Sequence, residues 1–219
     1  MNFLSKFIFF LKKPKIIIVA GKGKSDVVEV IYQAFKEKMG IEKMDFSFGS
    51  FLKENLFIVE QNQLNSQYLP GLIKNSELPI LVINHVGEIP LESGFFAGDI
   101  EDVQEAIKLA RLMPAHGFLV VNFDDDTVRE IKIKSPAHAF TLGFQEGADL
   151  RASDVKLNTG TNFKVNYKGK MVPVWLEKLF GKEKIYNALT TFGVGIILGL
   201  NLIEVSQALK FYQDSETLS

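Results

Sequence analysis

Residues 15–25 read Lys-Ile-Ile-Ile-Val-Ala-Gly-Lys-Gly-Lys-Ser. The first part, Lys15–Ala20, is a continuous β-branched run of the kind found in a strand buried on both faces. Gly21–Ser25 is a glycine-rich turn. Beyond it Val27, Val28, Ile31, Ala34 and Phe35 recur at helical spacing, and Gly40 closes that helix. Strand, glycine loop and helix in this order form the setting of a phosphate-binding loop. Glycines let backbone N–H groups converge on phosphate oxygens, and the helix start adds positive potential. Lys24 is placed to neutralise β/γ-phosphates and Ser25 to bind Mg²⁺, with Gly21, Lys22 and Gly23 forming the cradle. The full G-x-x-x-x-G-K-[ST] pattern is not met, because its first glycine would fall at Ile18. A lysine-rich turn with no ligand is the competing reading.

Working outward, Leu56–Val59 is a second apolar strand ending at Glu60, and Pro79–Ile83 is a third. Asp99 can cap a helix whose apolar side is Ile100, Val103, Ala106, Ile107 and Ala110, with Pro114 just beyond its end. Phe118–Val121 is a fourth strand, running into Asn122-Phe-Asp-Asp-Asp126. Strands alternating with helices predict an α/β fold, a mostly parallel P-loop-type sheet flanked by helices. From about residue 138 the pattern changes. Ala139–Phe144, Asp154–Leu157, Asn162–Tyr167 and Met171–Leu176 are short and separated by turn residues, which predicts a small antiparallel β-meander at about 138–176. Helices over Lys184–Leu198 and Leu202–Tyr212 finish the chain, with a tail at 213–219. No repeat or low-complexity linker divides it. A lead-in at 1–12 and one domain at 13–212 is the simplest organisation.

Glu60 stands at the carboxyl end of a sheet strand, where ligands of open α/β sheets gather. It can hold the metal that Ser25 touches, or be an exposed strand-end acid. Asp124–Asp126 read as a solvated turn and helix cap.

Composition narrows the rest. With 219 residues, 47% of them hydrophobic, the chain can bury a substantial core. It has no cysteine, which excludes disulfides, thiol nucleophiles and thiolate metal sites. His85, His116 and His138 are not spaced as a zinc pair. The net charge is −1, yet residues 1–25 hold six lysines and no acid, leaving −7 on the remainder. No arginine precedes Arg111 and no basic stripe alternates with aromatics, so nucleic acid is not an expected partner. Phe3–Leu11 is too short to span a bilayer. It reads as a short helix packed on the domain, or as a weak peripheral foothold on lipid through residues 3–15. Leu189–Ile203 is broken by glycines and reads as a buried core helix. The expected location is cytoplasmic.

Taken together, these segments resemble one family, the Mur ligases, in their central ATPase domain. The branch most alike adds D-alanyl-D-alanine to UDP-N-acetylmuramoyl-tripeptide. Lys13–Gly21 is similar to the strand leading into the family's phosphate loop, and Gly23-Lys-Ser25 with Val27–Phe35 to the loop's end and its helix. Phe57-Ile-Val-Glu60, with Pro70-Gly71 following, resembles the segment of the metal-binding glutamate. Leu81–Gly87 resembles the strand ending in Thr-Asn-x-Gly, and Gly117–Asp125 the Gly…Asn-x-Asp-Asp strand and loop. Phe140–Gly143 and Ala148–Asp154 resemble the β-subdomain; Pro173–Leu176, Gly181 and Tyr186–Leu189 resemble the entry to the adenine-side helix. The resemblance covers about residues 12–212. It implies ATP and Mg²⁺ as cofactors, with Lys24 on the phosphates, Ser25 and Glu60 on the metal and Asn187 near adenine. It also implies amide-bond formation through a carboxylate activated as an acyl phosphate, in peptidoglycan precursor synthesis.

The sequence departs from the family at several points. The loop Gly21-Lys-Gly-Lys-Ser25 is one residue shorter. The family's Thr-Asn falls on Asn84 and His85, its metal-side histidine on Pro90, and its often carbamylated lysine on Ile107, with Lys108 one step around the helix. Its Gly-x-His-Asn reads Gly181-Lys-Glu-Lys184. Little precedes Lys13 and nothing follows Ser219, so the UDP-sugar and terminal ligase domains are expected to be absent and supplied by a partner chain. A second expectation follows from the same departures: a degenerate homologue that scaffolds or regulates a cell-wall enzyme.

Overall fold

Alternation along the buried strands decides how the layers assemble. In β1 (Lys15–Ala20) every residue after Lys15 is buried. Ile17 and Val19 point into one core, and Ile16, Ile18 and Ala20 into another. A strand with apolar side chains at both parities must be covered on both faces. The computed structural model describes residues 3–63, 68–86, 97–210 and 212, with 97–102 described by backbone alone.

Helix α1 (Phe3–Lys12) precedes β1. Then come α2 (Lys24–Met39), β2 (Ile41–Lys43), α3 (Phe48–Lys53) and β3 (Leu56–Glu60). A 3₁₀ turn at Gln61–Gln63, α4 (Leu69–Asn75), β4 (Pro79–Ile83), α5 (Ala97–Leu112) and β5 (Phe118–Asn122) follow. The remainder is α6 (Asp126–Ile133), β6 (His138–Gly143), β7 (Leu150–Leu157), β8 (Gly160–Tyr167), β9 (Lys170–Glu177), α7 (Lys182–Ile197) and α8 (Leu202–Leu209). The strands make one nine-stranded sheet in the order β2-β3-β1-β4-β5-β6-β7-β8-β9. It is parallel from β2 to β7 and antiparallel from β7 to β9. One core packs α2, α7 and α8 on the sheet; the other packs Phe9 of α1, Phe51 of α3, Leu72 of α4, Leu109 of α5 and Ile131 of α6.

The α/β expectation holds, with three corrections of detail. His138–Gly143 is not part of a meander: it pairs in parallel with β5 from Phe118↔His138 to Asn122↔Leu142. Its short length and turn-rich flanks resemble a hairpin strand, but the preceding α6 is a crossover that returns it parallel. The antiparallel part is therefore β7–β9, and β7 starts at Leu150, earlier than the Asp154 expected, because β6 pairs with its first two residues. The third correction is at α5, which begins at Ala97, so Asp99 lies inside the helix rather than at its cap. In line with the two helices read at the end of the chain, the apolar run Leu189–Ile203 divides between them: α7 ends at Ile197, and Asn201 caps α8 with a capping box to Glu204. Gly87, Pro90 and the 213–219 tail lie outside the described residues.

The chain leaves β1 by α2 toward β2 and β3 on one side, and later reaches β4 on the other. The carboxyl end of β1 is thus a topological switch point, where open α/β sheets form a ligand crevice. Residues 21–25 occupy it.

Candidate functional site

Gly21 turns the chain out of β1 with φ 90°. It lies under the end of β4: a β-carbon there would sit 2.0 Å from the His85 carbonyl oxygen. The next N–H, that of Lys22, donates to the same oxygen at 2.9 Å. That donor is turned inward, away from any ligand. Gly23 caps α2 in the left-handed conformation (φ 68°) with no side-chain capping bond. The first N–H groups of a helix lack intrahelical acceptors, so the start of α2 presents an anion-binding end. Lys24 is half-buried at the first helical position, and Ser25 and Asp26 follow on the surface.

Two cavities flank this helix start. One, about 240 Å³, is lined by Ser25, Asp26, Val28, Lys43, Glu60 and Gln63 among others. The register Val19↔Glu60 brings Glu60 there from β3. Ser25 and Glu60 thus line the same cavity. Among the described residues no group of three or more His, Asp or Glu side chains gathers as a metal cluster. A hydroxyl and one carboxylate still match what Mg²⁺ takes from protein when phosphates and waters complete its shell. The second cavity, about 290 Å³, is lined by Lys22, Gly23, Asp26, Asn84, His85, Glu183 and Asn187. Lys24 lines neither.

Behind the second cavity lies a buried polar network. Asn84, His85, Asn122, Asn187 and Thr190 are all buried, at the ends of β4 and β5 and on the first turns of α7. The Asn84 amide lies 3.5 Å from Asn187 Oδ1, and Thr190 Oγ1 lies 2.6 Å from Asn84 Oδ1. His85 Nδ1 is 3.4 Å from Asn122 Nδ2, and its ring meets Tyr186 edge-on at 5.1 Å. Burial, with the positive Lys182 nearby, pushes His85 down to about 4 against the opposing pull of Asp124. The imidazole is neutral at pH 7. Burial also raises Asp125, which caps α6 by accepting from Val128 N–H at 3.0 Å. Burial first, and then the Asp124 carboxylate, pushes the Tyr186 phenol up.

Asp124 is a structural hub, not the solvated turn residue expected. Its carboxylate accepts from the N–H groups of Phe144 (2.6 Å) and Gln145 (3.1 Å) and from the Tyr186 hydroxyl (2.9 Å). Asp125 does serve as a cap, and Asp126 is 85% exposed in its side chain. The sequence signal for the hub was the Asn-x-Asp-Asp spacing at the end of β5, with no indication of which acid turns inward. Of the other aligned positions, Ile107 packs against the α1–α6 core and Lys108 is exposed. Lys184 Nζ reaches Asp26 Oδ2 at 3.7 Å, linking the starts of α7 and α2.

Residues 77–195, just over half of the chain, match the Mur ligase middle domain. The chain belongs to the Mur ligase family. It is 30% identical over 207 residues to the UDP-N-acetylmuramate–L-alanine ligase of Hydrogenobaculum sp. (strain Y04AAS1), which covers 90% of this chain and 40% of that protein. It is 31% identical over 139 residues to the corresponding ligase of Aquifex aeolicus, covering 63% of this chain and 30% of that protein. Among solved structures, MurF from Acinetobacter baumannii superposes with a TM-score of 0.72 at 16% identity, over 97% of this chain and 49% of that one. MurF of Thermotoga maritima in complex with ADP gives 0.69 at 18%, over 92% and 50%. This Mur ligase domain thus spans about 40% of the length of a curated relative and half of a structural one. Sequence similarity points to L-alanine ligases and fold similarity to MurF, so the family is shown and the D-alanyl-D-alanine branch is not singled out.

Proposed function

We propose that this domain binds a Mg²⁺–nucleotide at the carboxyl end of β1. The observation that carries the reading is the shared cavity of Ser25 and Glu60 beside the open start of α2. The N–H groups of Gly23 to Asp26 and the Lys24 ammonium hold the phosphates, Ser25 and Glu60 hold the metal, and Asn187 lies toward the base. Within a whole ligase the γ-phosphoryl group passes to a substrate carboxylate, and an amine then displaces phosphate from the acyl phosphate to form an amide. Bound Mg²⁺ supplies charge neutralisation at the transferring phosphoryl group. Substrate selection and closure over the nucleotide come from ligase parts outside these 219 residues, in the same or a separate chain.

Two observations favour a second reading, a non-catalytic homologue that scaffolds or regulates cell-wall synthesis. The Lys22 N–H is committed to the His85 carbonyl, and Lys184 pairs with Asp26 at the start of α2. Calorimetric titration with Mg-ATP separates the two. Nucleotide binding predicts measurable heat that Lys24→Ala weakens about 10- to 100-fold, as expected for a lost charge-assisted bond. No heat at millimolar nucleotide, in either protein, refutes it; steady ATP turnover by the isolated chain refutes the second reading.

A further inference from the structure

Helix α1 has two apolar sides, and the body of the domain covers only one. Ser5 and Phe9 are buried, Phe9 edge-on to Phe51 of α3 at 5.4 Å, while Ile8 and Lys12 are half-buried. The opposite side carries Phe3, Leu4, Phe7, Phe10 and Leu11, between 52% and 80% exposed. At about 100° per residue these five fall within one arc of about 120° that contains no polar side chain. Single exposed apolar residues are ordinary, but five contiguous ones, roughly 500 Å² together, mark an interaction surface.

The charged side chains of α1 itself are all lysines, while Glu54 and Glu77 share a cavity with Lys12 and Lys53 at its end. Lys6 is exposed at its edge, with its ammonium 4.5 Å over the Tyr68 ring, and Lys13 is exposed just past the helix. Lys12 Nζ binds the carbonyls of Leu52 (2.9 Å) and Glu54 (3.2 Å), fastening α1 to the end of α3. At that end of α3, Leu52 and Lys53 are exposed. The first acid in the chain is Asp26. Among the described residues no helix is long and apolar enough to cross a membrane.

We propose that this face docks on an anionic lipid bilayer, with Phe3, Phe7 and Phe10 at the acyl boundary and Lys6, Lys13 and Lys53 against lipid phosphates. Both halves of the surface are then matched at once. A second copy of the chain would match only the apolar half, since a symmetric contact brings two cationic rims together. The surface stands apart from the nucleotide crevice, so the inference does not depend on the function proposed above.

Vesicle flotation of the 219-residue protein tests it, using phosphatidylcholine vesicles with and without phosphatidylglycerol. The expected result is recovery with the phosphatidylglycerol vesicles only, diminished by salt and abolished by the double substitution Phe7→Ser, Phe10→Ser. Those side chains point away from the core, and circular dichroism checks the fold. Lys13→Gln with Lys53→Gln leaves the helix intact and lowers partitioning about fivefold per lysine. Failure to float with phosphatidylglycerol vesicles overturns the proposal, as does undiminished flotation of both variants or equal recovery with phosphatidylcholine alone. A concentration-dependent dimer that the serine variant disperses also overturns it, by giving the face to a second copy.

Discussion

Substituting Gly21 by alanine tests whether the phosphate loop is held by its contact with β4. Two separate costs follow from the structure. The backbone at Gly21 has φ 90°, a region costing a residue with a side chain about 1–3 kcal/mol. The new β-carbon would also stand 2.0 Å from the His85 carbonyl oxygen, a backbone atom on a buried strand end that cannot swing aside. Relief requires the loop to lift, which breaks the Lys22–His85 bond; such overpacking costs about 1–3 kcal/mol. The sum is about 2–6 kcal/mol, a large share of a typical domain's 5–15 kcal/mol. Gly40→Ala is the control, because Gly40 also has positive φ (62°) but a β-carbon there meets only a Glu54 side-chain oxygen at 3.4 Å. It should cost about 1 kcal/mol. Urea unfolding of both variants, with the slope checked for two-state behaviour, measures the difference. If Gly21→Ala destabilises no more than Gly40→Ala, the loop is not anchored by His85 and the account of the Lys22 N–H fails.

Three other outcomes follow from the same site. Tyr186→Phe removes a 2.9 Å donor from Asp124, and should lower stability by about 1–2 kcal/mol in urea titration; no change would mean that the two backbone donors suffice. His85 titrates at about 4 folded against 6.5 ordinarily, so the unfolded chain holds the extra proton between those values. The stability it contributes is full above about pH 6.5 and is lost as pH falls toward 4, by roughly 3 kcal/mol in all. Asp125, raised by burial, works in the opposite sense and offsets part of this. Unfolding measured from pH 7 to 5 should show the decline in the native protein and a flatter profile in His85→Gln; equal slopes would count against it. Glu60→Gln should reduce nucleotide affinity only when Mg²⁺ is present, and equal loss with and without the metal would remove Glu60 from the metal site.

The parallel half of the sheet was legible because its strands are apolar at both parities. Pro79–Ile83 was read with its observed bounds, and Leu56–Glu60 with Glu60 at its end. Strand β2 was missed, as only three residues form it and one, Ile41, is buried. The direction of β6 is not written in the strand's own residues; it follows from the crossover α6, whose cap the sequence offers within Asp124–Asp126 but whose length and packing it does not reveal. At the site, motif and strand end single out Lys24, Ser25 and Glu60, of which Ser25 and Glu60 share a cavity and Lys24 lines neither. The polar network escaped, since Asn84, Asn122, Asp124, Tyr186 and Thr190 lie far apart in the chain and only the packing of α7 on β4 and β5 brings them together. The orientation of the Lys22 N–H was equally hidden, being set by a backbone contact with another strand.

The central position of β1 also has a consequence during synthesis. Its two neighbours in the sheet are β3 and β4, so its first pairing partner, Leu56 onward, emerges about 40 residues after it. At ordinary elongation rates that leaves the Ile-rich strand unpaired for about 2–8 s. A short β-branched segment without proline or internal charge is an aggregation hazard for as long as its edges are open. Lys12, Lys13 and Lys15 on one side and Lys22 and Lys24 on the other bracket it with like charges. In the nascent chain these lysines act as gatekeepers, repelling the same segment on neighbouring chains until β3 arrives.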